Sequence, residues 1–161
     1  MFGLPIHPIL VHFPLVFASL LPLLALVALW LGSRSQRRPW WGIAFLHVFL
    51  LGLCFVAVKS GEKDEDKVKQ VLSSEEPLET HAEKGEWLMR LTAGTLVLTV
   101  LGLFPGKMGL TGRLMGTLAY FMLLYQALMV GHTGGLLVYR HGAASAHVTK
   151  EKLPSGHRLG R

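Results

Sequence analysis

Cysteine is nearly absent from this sequence. Its one cysteine, Cys54, leaves no intramolecular disulfide open to it, and without a CxxC or CxxCH motif there is neither a zinc ribbon nor a covalent c-type haem attachment. Charge is scarce too: 16% of residues are charged, in a few short blocks, against 51% apolar residues and a mean hydropathy of +0.43. That balance excludes an ordinary soluble domain. No Lys or Arg precedes the first apolar run, and that run is too long for a cleaved leader, so the first segment is expected to stay in the membrane. The chain also lacks a nucleophile constellation, a phosphate-binding loop and paired intramembrane carboxylates, which makes it a poor candidate for a complete enzyme by itself. Its net charge of +6 is spread over loops and a tail rather than one face, so nucleic acid is not an expected partner.

What the chain does have is long apolar runs. Residues 9–31 form a 23-residue stretch, about 34 Å long as a helix against a hydrocarbon core of about 30 Å. Three further spans are predicted over 40–58, 87–104 and 114–137, with Gly131, Gly134 and Gly135 loosening the end of the last. The expected fold is an all-α membrane protein, a four-transmembrane-helix bundle over residues 1–144 followed by a basic tail, 145–161. The short loops 32–39 and 105–113 carry Arg34, Arg37, Arg38, Lys107 and Arg113 and no acidic residue, whereas 59–86 has five lysines against nine Asp and Glu. By the positive-inside rule the short loops are cytoplasmic and both termini lie outside the bacterial inner membrane, although Arg140, Lys150, Lys152, Arg158 and Arg161 in the tail oppose that bias. In the long loop, Ser74 before Glu75, Glu76 and Pro77 predicts a helix start, which places His81 on a short helix leading into the third span. Trp87 and Arg90 suit the interfacial end of that span.

This topology gathers five histidines, His7, His12, His81, His132 and His141, on the outer side. Two histidines on facing helices are the usual axial ligands of a b-type haem. His12 and His132 lie inside the predicted spans near one surface and are the expected axial pair. His7 precedes Pro8 and is expected outside the helix; were it helical, five residues would separate it from His12 by about 140°. His81 and His141 are then a second pair or orienting groups. Gly131, Gly134 and Gly135 would admit a flat macrocycle, and Arg90 and Arg140 could pair with propionates. The alternatives are a copper or zinc site on the same histidines supported by Glu62 or Glu83, or a structural subunit of a respiratory or photosynthetic complex. The plainest reading is that the histidines bond one another, carbonyls opened by Pro8 and Pro14, or interfacial water. His47 lies deeper with no second histidine at its level, so it and Cys54 read as structural, with Tyr120 as a hydrogen-bond partner for His47.

The segments HPILVHFPL, SGEKDED, ETHAEKGE and GHTGGLLVYRHGAA resemble a bacterial membrane-protein family known as domain of unknown function 2231. The likeness runs through Ala144 and carries His7, His12, Gly61, Glu62, His81, His132, Gly134, Gly135, Tyr139, His141 and Gly142. Ala82 departs from it, standing where the family often has Glu. The family's occasional fusion to cytochrome c domains implies electron transfer, and the expected function is a small b-type cytochrome or haem-binding subunit in the lipid bilayer that passes electrons near the outer face between the quinone pool and a periplasmic carrier or other membrane subunits.

Overall fold

The structure, a computed structural model, describes residues 6–31 and 37–147. Arg34 in the first short loop and the tail cations Lys150, Lys152, Arg158 and Arg161 lie outside the described residues. The elements are α1 (His7–Leu10), α2 (His12–Leu31), α3 (Arg37–Lys69), α4 (Glu76–Leu101), α5 (Gly106–Tyr139) and a 3₁₀ turn (Ala143–His147). Pro14 has no N–H to donate to Leu10, and there the first helical run breaks, at Val11, into α1 and α2. His7 therefore begins a helix rather than lying outside one, with Pro8 tolerated in the first turn.

Two expected boundaries move. The charged segment 59–86 is not a loop, because α3 runs through it to Lys69 and α4 starts at Glu76. Charge ends an apolar run but not a helix, and Lys59–Glu62 and Glu65–Lys69 pair along the extension at helical spacing. Glu75, not Ser74, occupies the N-cap of α4; the Ser74 hydroxyl accepts from the Glu76 N–H at only 3.4 Å. The glycines at 131, 134 and 135 do not loosen α5, which continues unbroken to Tyr139. At about 50 Å each by helical rise, α3 and α5 overhang a hydrocarbon core of about 30 Å.

α2 packs on α3 and α5, and α4 packs on the same two, which closes a ring of four long helices. Three of the helical runs are long and apolar enough to cross a membrane: His7–Leu31, Arg38–Lys69 and Gly106–Tyr139. Large apolar side chains such as Trp30, Phe45, Val97, Leu118 and Met122 point outward, while His47, Thr92, Thr99 and Thr117 are buried. Apolar outside and polar inside is the arrangement lipid demands.

Buried positions step alternately by three and four along each helix: Pro14, Ala18, Leu21, Ala25 and Ala28 on α2; Trp40, Ile43, His47, Leu50, Cys54 and Ala57 on α3; Leu88, Thr92, Thr95 and Thr99 on α4; Arg113, Gly116, Tyr120, Leu123 and Ala127 on α5. One displacement along the chain carries the α3 set onto the α5 set, Trp40 onto Arg113 and His47 onto Tyr120. A displacement one residue longer carries Pro14, Ala18, Leu21 and Ala25 onto Leu88, Thr92, Thr95 and Thr99. The chain is thus two helical hairpins in tandem, α1–α3 and α4–α5, running in the same direction.

The end of the bundle opposite His7 is closed by Trp40, fully buried, whose Nε1 donates to the Thr99 carbonyl at 2.8 Å. Arg113, expected in a loop, is instead buried within α5, where its Nε donates to the Gly102 carbonyl at 2.7 Å and satisfies the end of α4. A Cβ on Gly102 would overlap Trp40 Nε1, whereas one on Gly94 would meet no described atom within 4 Å. Gly102→Ala should therefore cost about 1–3 kcal/mol by overpacking, and Gly94→Ala should be neutral or stabilising by up to about 1 kcal/mol. Thermal unfolding in detergent checks both, and equal midpoints would contradict the tight contact.

Candidate functional site

At mid-bundle, α3, α4 and α5 share a closed polar network. His47 Nε2 donates to the Thr92 carbonyl at 3.0 Å, and its Nδ1 accepts from the Thr99 hydroxyl at 2.7 Å. The Tyr120 hydroxyl donates to Thr99 Oγ1 at 2.7 Å and lies 3.3 Å from His47 Nδ1, so the expected His47–Tyr120 partnership is present. Cys54 Sγ is 4.0 Å from Thr92 Oγ1. Among the described residues no buried side-chain N or O lacks a partner. His47 is saturated, and its place is structural. His47→Leu should lower the unfolding free energy by about 1–3 kcal/mol, because Thr99 and Tyr120 lose their acceptor where water does not reach. Unchanged denaturation in detergent would show that the network contributes nothing.

The end of the bundle that carries His7 is different. His7 on α1 and His81 on α4 stand with ring centroids 6.2 Å apart and planes at 79°. Each is held by the second helix of its own hairpin. His7 Nδ1 donates to the Ala57 carbonyl at 3.0 Å and to Ser60 Oγ at 2.9 Å. His81 Nδ1 and the Thr133 hydroxyl are hydrogen-bonded at 3.1 Å. Glycine follows each hydroxyl. A Cβ on Gly61 would lie 3.1 Å from His7 Cε1, and one on Gly134 would lie 3.0 Å from His81 Cε1. The displacement that maps His47 onto Tyr120 also maps Ala57, Ser60 and Gly61 onto Val130, Thr133 and Gly134. The two imidazoles are thus equivalent parts of the two hairpins, meeting between them. Burial lowers the pKa of His81, and the adjacent His7 lowers it further, against the Val130 hydrogen bond. At neutral pH the ring is uncharged, with a lone pair to offer.

A small apolar core beneath the α3–α4 connection, Leu78, Leu137 and Ala143 with Val68 and Leu72 against them, fixes this end. The 3₁₀ turn completes it by packing on α3 and α5.

The other predicted site residues lie elsewhere. His12, His132 and His141 are exposed, with no side-chain hydrogen bond or ring contact to the described residues. His12 points about 160° from Pro14, and His132 about 160° from Gly134, so each faces away from its helix's buried stripe. Arg90 is bonded to Glu86, and Glu62 to Lys59. Arg140 caps α5 with its side chain exposed, and Gly135 has open space around it. Glu83 lines an outward-opening groove of about 390 Å³ with Lys84, Trp87, Tyr125, Gln126 and Met129. Among the described residues, no three His, Cys, Asp or Glu side chains converge as a metal-binding group. Sequence reasoning passed over Ser60 and Thr133, although a hydroxyl–glycine pair close to 52 residues after a histidine occurs in both halves and was there to be read.

Inward polar groups, outward apolar ones and membrane-length helices define a helical membrane protein, here assembled from two equivalent hairpins. The chain belongs to the family described as predicted membrane protein (DUF2231), which matches residues 3–147. No curated protein and no solved structure matches it.

Proposed function

We propose that this protein is a haem b-binding electron-transfer protein or subunit of the bacterial inner membrane, in which His7 and His81 would hold the haem iron. The observation that carries this reading is the imidazole pair. The rings of His7 and His81 stand 6.2 Å apart, and two metal–nitrogen bonds of about 2 Å each plus the half-widths of two rings sum to about 6 Å, so one metal between them would be within reach of both. The donor set also fits, since both rings are neutral-type nitrogen donors held from behind by hydrogen bonds. Haem would supply a one-electron couple. The chain's own part is to hold the two ligands between its hairpins. Gly61 and Gly134 keep the helix backbones close to each ring, a position any side chain would fill.

The purified protein should show a Soret band and a dithionite-reducible α band. His7→Ala and His81→Ala should each abolish low-spin absorption, while His12→Ala and His132→Ala should leave it intact. The opposite pattern would move the site to the exposed histidines, and a colourless but folded preparation would overturn haem binding.

The same reading has four crossings with both termini outside. α4 is the counterpart of α2 in the repeat, and its segment 87–101 lies beside two helices that qualify as spans. A reporter fused after Arg161 should be periplasmic and one inserted between Ser35 and Gln36 cytoplasmic; exchanged locations would invert the topology and put the imidazole pair on the cytoplasmic side.

A further inference from the structure

Resting on that reading of His7 and His81, we propose that Ser60 and Thr133 are positioning residues that fix both rings as Nδ1–H tautomers and so make Nε2 the ligand atom on each side. A carbonyl oxygen can only accept, so the ring nitrogen of His7 that faces the Ala57 carbonyl at 3.0 Å carries the proton. Ser60 commits its own proton to that same carbonyl at 2.7 Å, and toward Nδ1, 2.9 Å away, it offers only a lone pair. The second hairpin repeats the logic with other residues. Thr133 donates to the Val130 carbonyl at 3.0 Å, with Met129 O at 3.2 Å as the other acceptor within reach, and so it accepts from His81 Nδ1 at 3.1 Å. A neutral imidazole has one N–H. With both placed on Nδ1, the Nε2 atoms hold the remaining lone pairs, and no described residue uses either one as a hydrogen-bond partner.

The recurrence separates positioning from mere packing. Around the two sites the sequences read AVKSGE and VGHTGG, and what they share at matching places is a carbonyl, a hydroxyl three residues later and a glycine after it. Each hydroxyl is already satisfied by the carbonyl three residues back, so the fold of its own helix does not require the histidine. The glycine completes the device. With Cε1, the carbon between the two nitrogens, 3.0–3.1 Å from where a Cβ would be, each ring sits edge-on against the helix backbone, and Nδ1 is directed to the acceptors. A hydrogen bond donated by the rear nitrogen raises the basicity of the front one, which favours the higher oxidation state of a bound metal.

The first measurement needs no haem. In ¹⁵N-histidine-labelled ligand-free protein, in detergent or nanodiscs, the nitrogen shifts of His7 and His81 should both report the Nδ1–H tautomer. Ser60→Ala and Thr133→Val should each let its own ring populate Nε2–H, while Ser60→Thr and Thr133→Ser preserve the native pattern. A predominant Nε2–H form of either ring in the unsubstituted protein overturns this proposal and leaves haem binding by His7 and His81 to its own spectral test. In the haem-loaded protein, Ser60→Ala and Thr133→Val should each weaken haem retention about tenfold, the lower end for loss of an orienting partner because the carbonyl remains, and raise the midpoint potential. The conservative exchanges should restore both. Retention and potential unchanged in both variants would overturn the positioning role, whereas failure of the unsubstituted protein to bind haem would strike the ligand reading and leave the tautomer assignment standing.

Discussion

Helices in lipid gain little from burying apolar surface against one another, because the acyl chains outside are as apolar as the side chains inside. Association then rests on close van der Waals contact and on hydrogen bonds, and both need small residues where the helices meet. Ala18, Ala25 and Ala28 on α2, the threonines of α4 and Gly102, Gly112 and Gly116 around the α4–α5 turn provide them. Everything else follows from that closeness. Trp40 is enclosed because Gly102 and Gly116 give it room, and His47 reaches α4 and Tyr120 together because only threonines intervene.

The tandem arrangement sorts the buried residues into those that agree between the halves and those that do not. At the end opposite His7 the counterparts differ completely, Trp40 against Arg113, and each closes the bundle by its own hydrogen bond. At mid-depth His47 and Tyr120 are unlike, and they meet within one network. Alanines of α2 correspond to threonines of α4, so the polar side of the core belongs to the second hairpin. Only toward the His7 end do the halves keep the same chemistry, a histidine on the first helix with a hydroxyl and a glycine on the second. Packing tolerates divergence between the two hairpins, and the imidazole pair is where they agree.

The membrane class, the helical content and the gathering of histidines toward one end were legible from apolar run length and from where charge is lacking. The pairing of histidines was not, because depth along a helix was weighed and direction around it was not. The steps Pro14, Ala18, Leu21 and Ala25 extend back through Val11 to His7 and leave His12 off the stripe; Leu88 extends back through Gly85 to His81. Read that way, the sequence selects His7 and His81. The extent of α3 was hidden for another reason: hydropathy marks where lipid ends, and the helix continues past that point on ion pairs. Arg113 looked like a loop cation because nothing in its neighbours reveals that the C-terminal carbonyls of α4 lie beside it.

The hairpins also impose an order on biogenesis. His7 enters the membrane with the first hairpin and finds Ser60 within it, but His81 and Thr133 belong to a hairpin still to be made. At a synthesis rate of about 5–20 residues per second the second hairpin follows on the order of ten seconds later. Nothing that bridges the two imidazoles could be captured during that interval, so any ligand shared between them would load only after the second hairpin is made. A bridging ligand, once bound, favours the joined hairpins over separated ones by its own affinity, and it would act as a clasp that marks the finished molecule.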